Sequence, residues 1–420
     1  MGFASANRYA LAAIVEASQS RHIVASQDIF DDRGFKLWAR DQRVTPSLQQ
    51  RLLERKLKTP LESCLHATDG VTVVELHSEA QRFLADGSPL AAGLAPWANA
   101  VCKEIRHLPL HSVAQLLLTT VQASRPEVFV HAVQAMVLSG AMSLHQGHSR
   151  FQVRLGLLGG LLHDLGEMYV NPEYLDSTTD LGAGEYRHVV VHPQFGAMLL
   201  QSLTDYPVEL SRAVGEHHER LHGGGYPKGL IQAQISPLGR QLAAVETLGA
   251  LAARSSSPSL WSHAFLSLRL IPGEYDAAAI QFVGQRAQAE SNLPLDSLSG
   301  ATRVDPVQAL RQIDERLEGA QAEAMRLAQS GGSPQVRSVA ARAVQQLAHL
   351  RTAWNAAGLW SLEHVGTPPL LELDELQREL AFRCRALRRD CLWQEDRMSP
   401  QDLEQLESLW QCLRGDVPSP

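Results

Sequence analysis

The sequence predicts a mainly α-helical protein, with a small α/β module at its N-terminal end and a helical bundle at its C-terminal end. Three observations predict this. Apolar residues recur at helical spacing through most of the 420 residues. Short apolar segments around a turn sequence occur near the N-terminus, within residues 23–44. Beyond about residue 300 the chain is rich in Ala, Leu, Gln and Arg.

Composition bounds the function classes. The length suggests two or three domains, and 45% hydrophobic content is ordinary for a globular chain with a substantial core. The net charge of -7 argues against binding nucleic-acid polymers, which favour a basic face. A small phosphate-bearing ligand held by local cations or metals remains compatible with it. The cysteines Cys64, Cys102, Cys384, Cys391 and Cys412 are few, odd in number and without C-x-x-C spacing. Free thiols in a reducing cytoplasm follow. Cys384 and Cys391 can share a helix face as core thiols. At the N-terminus Arg8 and Glu16 interrupt the apolar run, so no signal peptide is expected. No uncharged apolar run of about 18 residues predicts a membrane span.

Residues 1–115 read as the α/β module. In 23–44, two short apolar segments flank Asp31-Asp32-Arg33-Gly34, a turn sequence. Thr45-Pro46 is an N-cap followed by an N1 proline, opening a helix with Leu48, Leu52 and Leu53 on one side. Thr59-Pro60 can open another. The module has no catalytic constellation and reads as a docking or regulatory unit. Residues 89–98 form a connection, and a helix is expected over 99–122.

The chemistry-bearing stretch runs from Glu127 to Glu246. Glu127 and His131 are four apart and so share a helix face. Ser124 and Glu127 also match a capping box. Residues 152–165 are an apolar helix ending in His163-Asp164, a pair costly to bury without partners. Imidazole and carboxylate suit Zn, Fe or Mn, and Asp can bridge two ions. Gly166 can end that helix. His192-Pro193 opens the next helix, and neighbouring His188 reads as solvated. His217-His218 closes another helix; adjacent side chains diverge by about 100°, so the pair can serve two ions, or one ion and a substrate. Gly223-Gly224-Gly225 before Tyr226-Pro227 allows close backbone approach, or simply a surface loop. Glu246 lies among apolar residues of the helix 240–251. Each residue has a structural reading when taken singly; the ordered series favours a shared metal site.

Together these features resemble the HD-GYP family of HD-domain metal phosphohydrolases. The resemblance rests on Glu127-x-x-x-His131, HDLGE at 163–167, His192-Pro193-x-x-Gly196, HHERLHGGGYPKGL at 217–230 and Ile235-Ser236-Pro237-x-x-Arg240. It covers about residues 115–287. It implies an all-helical HD-type core, within 116–290, with two or three divalent ions, commonly iron or manganese. It also implies hydrolysis of cyclic di-GMP to pGpG or GMP by a metal-activated water. By the resemblance, Glu127, His131, His163, Asp164, His192, His217, His218 and Glu246 form the metal shell, Glu246 standing where the family has Asp. Asp164 and His163 would be catalytic. Tyr226, Lys228, Arg240 and Arg254 would bind substrate.

Four positions depart from the family pattern. Its HD-x-G-K lysine is Glu167, and the Asp before the GYP turn is His222. The Asp three residues after the last carboxylate is Gly249, and Arg254 with Ser255-Ser256-Ser257 stands in for a basic phosphate-binding segment. They motivate an alternative, a weakly active or inactive nucleotide sensor or interaction scaffold working through a signalling-protein partner at the GYP loop or the terminal domains.

In the C-terminal region, 300–416, helices are expected over 304–329, 334–356, 372–394 and 400–413. Breaks are expected at Gly331–Pro334 and Gly366–Pro369. An antiparallel bundle follows, with its Leu, Val and Trp stripe as core and the possibility of a homodimer.

Overall fold

Burial of the first helix organises the N-terminal part of the protein. In the computed structural model Arg8–Ala17 is capped by Asn7, whose side chain accepts from the N–H groups of Tyr9 and Ala10. Leu11 and Ile14 of this helix are fully buried with Ile23, Leu48, Leu61 and Leu116 in one apolar core. The structure describes residues 5–52, 55–175, 181–254, 259–291, 306–330, 332–356, 370–393, 395 and 398–413. The chain divides into two units, one comprising 1–178, 188–260 and 276–282, the other 179–187, 261–275 and 283–420. The described residues are mainly helical, as the periodicity predicts.

In the first unit the expected turn joins strands Ile29–Phe30 and Lys36–Trp38, which pair antiparallel. Asp31 holds the turn by accepting from the N–H groups of Arg33 and Phe35. Gly34 supplies the left-handed φ of +85° that the turn requires. Ile23–Ala25 pairs with a strand the sequence did not reveal, Leu65–Ala67. The proline-started helix is Pro46–Leu52, whereas Thr59-Pro60 leads only into the 3₁₀ turn Leu61–Cys64. Residues 89–98 are more ordered than a connection: Ser88 caps the helix Pro89–Leu94, which buries Leu90, Ala91 and Leu94. The single helix expected over 99–122 is two, Ala98–Ile105 and Ser112–Ser124. Pro109 lies between them and removes a backbone donor there.

The helices Pro126–His145 and Arg150–Leu162 form the centre of the unit and approach closely at two glycines, Gly160 against backbone and Gly140 against the Leu157 side chain. A Cβ on Gly160 would stand 2.3 Å from the Ala135 carbonyl oxygen, and one on Gly140 2.4 Å from Leu157 Cδ2. Pro237–Arg254 locks onto Pro126–His145 through Gln241, whose amide donates to the carbonyl and hydroxyl of Ser139 and to the hydroxyl of Ser143. Pro126–His145 has the length and mean hydropathy, 1.4, of a membrane-crossing helix, but 67% of that stretch is buried within the protein.

The second unit contains helices Pro306–Ser330, Pro334–Ala356, Leu370–Leu392 and Pro400–Leu413, close to the four expected. Leu317, Val339, Leu347, Leu380, Cys391 and Trp410 share its core. Cys384 and Cys391 are buried free thiols, as their spacing suggested. Arg383 is buried between Glu274 and Glu379, at 2.7 and 2.8 Å. Of the break expected over Gly331–Pro334, Gly332 and Ser333 are non-helical and Pro334 opens the next helix, while Gly331 and the break expected at Gly366–Pro369 fall outside the described residues.

One buried contact ties the N-terminal module to the site region. The Tyr169 hydroxyl donates to Glu62, and both side chains are nearly inaccessible. Burial pushes the Glu62 carboxyl above its ordinary range, against the opposing effect of the tyrosine hydrogen bond. A carboxyl with a raised folded-state pKa binds more protons folded than unfolded, so stability falls as pH rises from about 4.3 through the folded-state value. Glu62→Gln keeps a hydrogen-bonding side chain and removes the charge. Its unfolding free energy is expected to gain on that of the wild type as pH rises, levelling off above the folded-state pKa. Denaturant titrations of both proteins between pH 4 and 8 (about the usable range) check this; a pH-independent difference counts against it.

Candidate metal centre

Helix ends, helix middles and one turn share the delivery of the candidate ligands. His163 follows the last residue of Arg150–Leu162, and Asp164 opens the 3₁₀ turn Leu165–Tyr169. His192 is the first residue of His192–Leu203. His217 and His218 follow Val208–Val214 by one turn, so they stand on a turn instead of closing the helix. His131 and Glu246 project from the middles of Pro126–His145 and Pro237–Arg254.

Three imidazoles are oriented by one device. His163 Nδ1 lies 2.8 Å from the Gly160 carbonyl oxygen, His192 Nδ1 2.8 Å from that of Val189 and His217 Nδ1 2.6 Å from that of Val214. A carbonyl only accepts, so each Nδ1 carries the proton and each Nε2 presents a lone pair. These Nε2 atoms converge on Asp164. Its Oδ1 is 3.4 Å from His192 Nε2 and 3.3 Å from His217 Nε2; its Oδ2 is 3.0 Å from His163 Nε2 and 3.7 Å from His131 Nε2. Glu246 Oε2 closes the second side, 3.3 Å from His163 Nε2 and 3.6 Å from His131 Nε2.

Two four-residue groups result, Asp164 with His192, His217 and His218, and Asp164 with His131, His163 and Glu246. Asp164 belongs to both. Its Oδ1 is buried with no hydrogen-bond partner among the described residues. An orphaned anionic oxygen facing imidazole lone pairs at hydrogen-bond range is repulsive unless a cation lies between them. The donor set therefore fits a pair of divalent ions sharing one carboxylate, and nitrogen with oxygen donors suits borderline transition metals.

Without an ion between them, the carboxylates and imidazoles answer one another as anion and cation. Burial disfavours charge on His163, yet Asp164 and Glu246 outweigh it and hold the imidazole well above its usual range. His131 and His192 are raised in the same sense, burial again being overcome by Glu246 for the former and Asp164 for the latter. Burial depresses His217 and, joined by the neighbouring His217 and His192, depresses His218 further. Asp164 and Glu246 stay ionised well below the ordinary range: burial opposes this, and the surrounding histidines prevail. Burial and then Asp164 push Glu167 up to about 7.

The loop after His218 is fixed from beneath. Glu219 is buried and accepts from the N–H groups of Lys228 and Leu230, at 2.8 and 2.9 Å. Glu216 accepts from the N–H and hydroxyl of Ser236. A Cβ on Gly225 would meet the Arg220 nitrogen at 2.4 Å, so the glycine lets the loop lie on the backbone of 218–220. This places the Tyr226 ring parallel to that of His218, 4.5 Å between centroids at 19°.

Some sequence expectations are placed elsewhere. Glu127 is not brought into either group: its side chain is 70% exposed on the first turn of its helix, with the Arg125 guanidinium 3.9 Å away. It forms no capping box, because the Ser124 hydroxyl donates to the Thr120 carbonyl. Arg240 is held by the carbonyls of Ile235 and Gln232 and by Asp276 at 3.5 Å. Lys228 is exposed, and Arg254 is exposed and donates to the Ala250 carbonyl of its own helix. Ser255-Ser256-Ser257 lies outside the described residues. Gly166 is more than a helix stop: a Cβ there would stand 1.9 Å from the His192 carbonyl oxygen. Gly249 lies behind His131, where a Cβ would meet ring Cε1 at 2.8 Å. The supporting roles of Glu216, Glu219 and Arg125 escaped sequence reasoning. The acidic i, i+3 spacing of Glu216 and Glu219 around the histidine pair was the available signal for two of them.

The family model that matches overlaps the stretch that carries these ligands. Residues 118–278 match the family model of the HD domain. A stretch of 154 residues is 32% identical to a cyclic di-GMP phosphodiesterase of Pseudomonas aeruginosa, covering 37% of each chain. Ninety-three residues are 36% identical to the 3'3'-cGAMP-specific phosphodiesterase 3 of Vibrio cholerae, covering 22% of this chain and 20% of that one. The chain thus spans well under half the length of these curated relatives. A solved structure described as an HDG"Y"P protein from Bdellovibrio bacteriovorus aligns at 17% identity and a TM-score of 0.36, covering 65% of this chain and 98% of that one.

The shared carboxylate and the gap beside His131 make separable predictions. Asp164→Asn is expected to weaken divalent-metal binding in both groups by about tenfold or more. Gly249→Ala should displace His131 and weaken one group only, leaving about half the metal of the wild type. Elemental analysis of metal per chain after dialysis distinguishes the two variants; unchanged metal in Asp164→Asn refutes the bridging role.

Proposed function

We propose that the HD domain carried by residues 118–278 makes this chain a metal-dependent phosphodiesterase that opens cyclic di-GMP to pGpG or GMP. The observation that carries the reading is Asp164, with one oxygen directed into each of two adjoining ligand groups. The relatives named for cyclic di-GMP and 3'3'-cGAMP support a cyclic-dinucleotide diester as substrate. Bound divalent ions, with iron or manganese as the proposed pair, would supply a water of lowered pKa and neutralise the diester oxygens.

The chain's own contributions are positional. His163, His192 and His217 enter with their tautomers already set, so binding costs no reorganisation of those rings. Asp164 fixes the relation of the two groups to each other. The Tyr226 ring, stacked on His218, extends a flat surface from the ligands on which a base or ribose can rest. Glu219, by accepting from the N–H groups of Lys228 and Leu230, holds the loop that carries Tyr226.

A second reading, a nucleotide sensor or protein-interaction scaffold, is favoured by two observations. Glu167 reverses the charge of the lysine in the resembling family, and Arg240 is tied to Asp276. Incubation of the iron- or manganese-loaded protein with cyclic di-GMP and with 3'3'-cGAMP, followed by chromatography of the linear products, separates the readings. Turnover is expected, reduced about a hundredfold or more in the His163→Ala/Asp164→Ala protein. Tight binding without metal-dependent product supports the sensor, and the absence of both binding and product removes cyclic dinucleotides from the account.

A further inference from the structure

We propose that Arg125 recognises the second phosphodiester of a bound cyclic dinucleotide, the one not being cut, and that Glu167 positions it there; this rests on the phosphodiesterase reading above. A cyclic dinucleotide carries two anionic diesters. Ions held at Asp164 would answer one of them. The other needs a cation supplied by the protein at the rim of the same centre.

Of the cations expected for this from the sequence, Arg240 braces Asp276 and Arg254 turns back onto its own helix, while Lys228 is exposed on the loop that carries Tyr226. Arg125 is at the rim. It immediately precedes the Pro126–His145 helix that delivers His131, six residues on and so about 9 Å along the axis. Its backbone takes an extended, non-helical conformation, φ -141° and ψ 70°, and its side chain makes no cap to its own helix. The guanidinium lies between Glu127, with Nε 3.9 Å from Oε1, and Glu167, with Nη1 3.4 Å from Oε2, and the side chain is 22% exposed.

Glu167 stands on the turn that starts at Asp164, and its N–H donates to the Asp164 carbonyl at 2.9 Å. Holding Arg125 through Glu167 therefore registers the guanidinium against the shared carboxylate. A guanidinium has five N–H donors in a planar fork, so contact with Glu167 is compatible with a bidentate grip on phosphate oxygens. The Glu at 167 is then one half of a cation-bearing pair. It need not be a lost lysine.

The test compares cyclic di-GMP with bis(p-nitrophenyl) phosphate, a diester with no second phosphate, in wild type, Arg125→Ala, Arg125→Lys and Glu167→Gln. Metal per chain is measured in each preparation. Arg125→Ala is expected to raise KM for cyclic di-GMP about tenfold more than KM for the small diester, with metal content at the wild-type level. Arg125→Lys should recover part of the loss, lacking the fork. Glu167→Gln should give a smaller rise of the same selectivity. Equal effects on the two substrates, or a loss tracking metal content, overturn the proposal. If the wild type binds cyclic di-GMP without cleaving it, the same ratio is read from calorimetric Kd values, and a Kd unmoved by Arg125→Ala overturns it. A wild type that cleaves the small diester and neither binds nor cleaves cyclic di-GMP overturns both the substrate assignment and the role of Arg125.

Discussion

The geometry of the centre depends on the carboxylate of Asp164. Four imidazole Nε2 atoms approach its two oxygens, two to each, and the nearest lies at 3.0 Å. An anion so enclosed is tolerable only because the surrounding groups are cationic or coordinate a cation. Asp164 must also stand at one height between four helices. The packing described above serves that requirement: glycines at 140, 160 and 166 remove the side chains that would separate the helices, and Gln241 fastens the Glu246 helix to the His131 helix.

Much of this was legible in the chain and some was not, for physical reasons. Apolar periodicity locates a helix because its face must be buried, and so Pro126–His145 and the four C-terminal helices were foreseen nearly to their ends. Seven of the eight expected ligands converge because histidines and carboxylates in apolar helices need partners. Glu127 illustrates the limit. Sharing a helix face with His131 sets the direction of the Cα–Cβ bond, whereas the side chain's end is set by whatever charge lies nearest, here Arg125. The strand Leu65–Ala67 pairs with residues about 40 positions earlier, a relation local patterning does not encode.

The departures from the family pattern acquire physical content in the structure. Gly249 is a close approach: the His131 ring occupies the space a side chain there would need. The longer Glu246 still brings its Oε2 to two imidazoles. Glu167 is joined to a guanidinium, so the reversed charge belongs to an ion pair beside the centre. These substitutions alter the rim while the enclosed ligands keep their mutual geometry.

The backbone carbonyls that accept from His163, His192 and His217 have a further consequence. In many metal sites a carboxylate side chain orients the imidazole, and its loss by a single base change uncouples ligand from site. Here the orienting group is the peptide three residues earlier in the same turn, which every residue type possesses. Point substitution at Val189 or Val214 changes packing without deleting the acceptor, whereas Gly160 is confined by its close approach to the Ala135 backbone. The orientation of the ligands is thereby insulated from mutational drift in a way their identities are not, and a lineage could reshape the rim for new ligands while the interior stays in register.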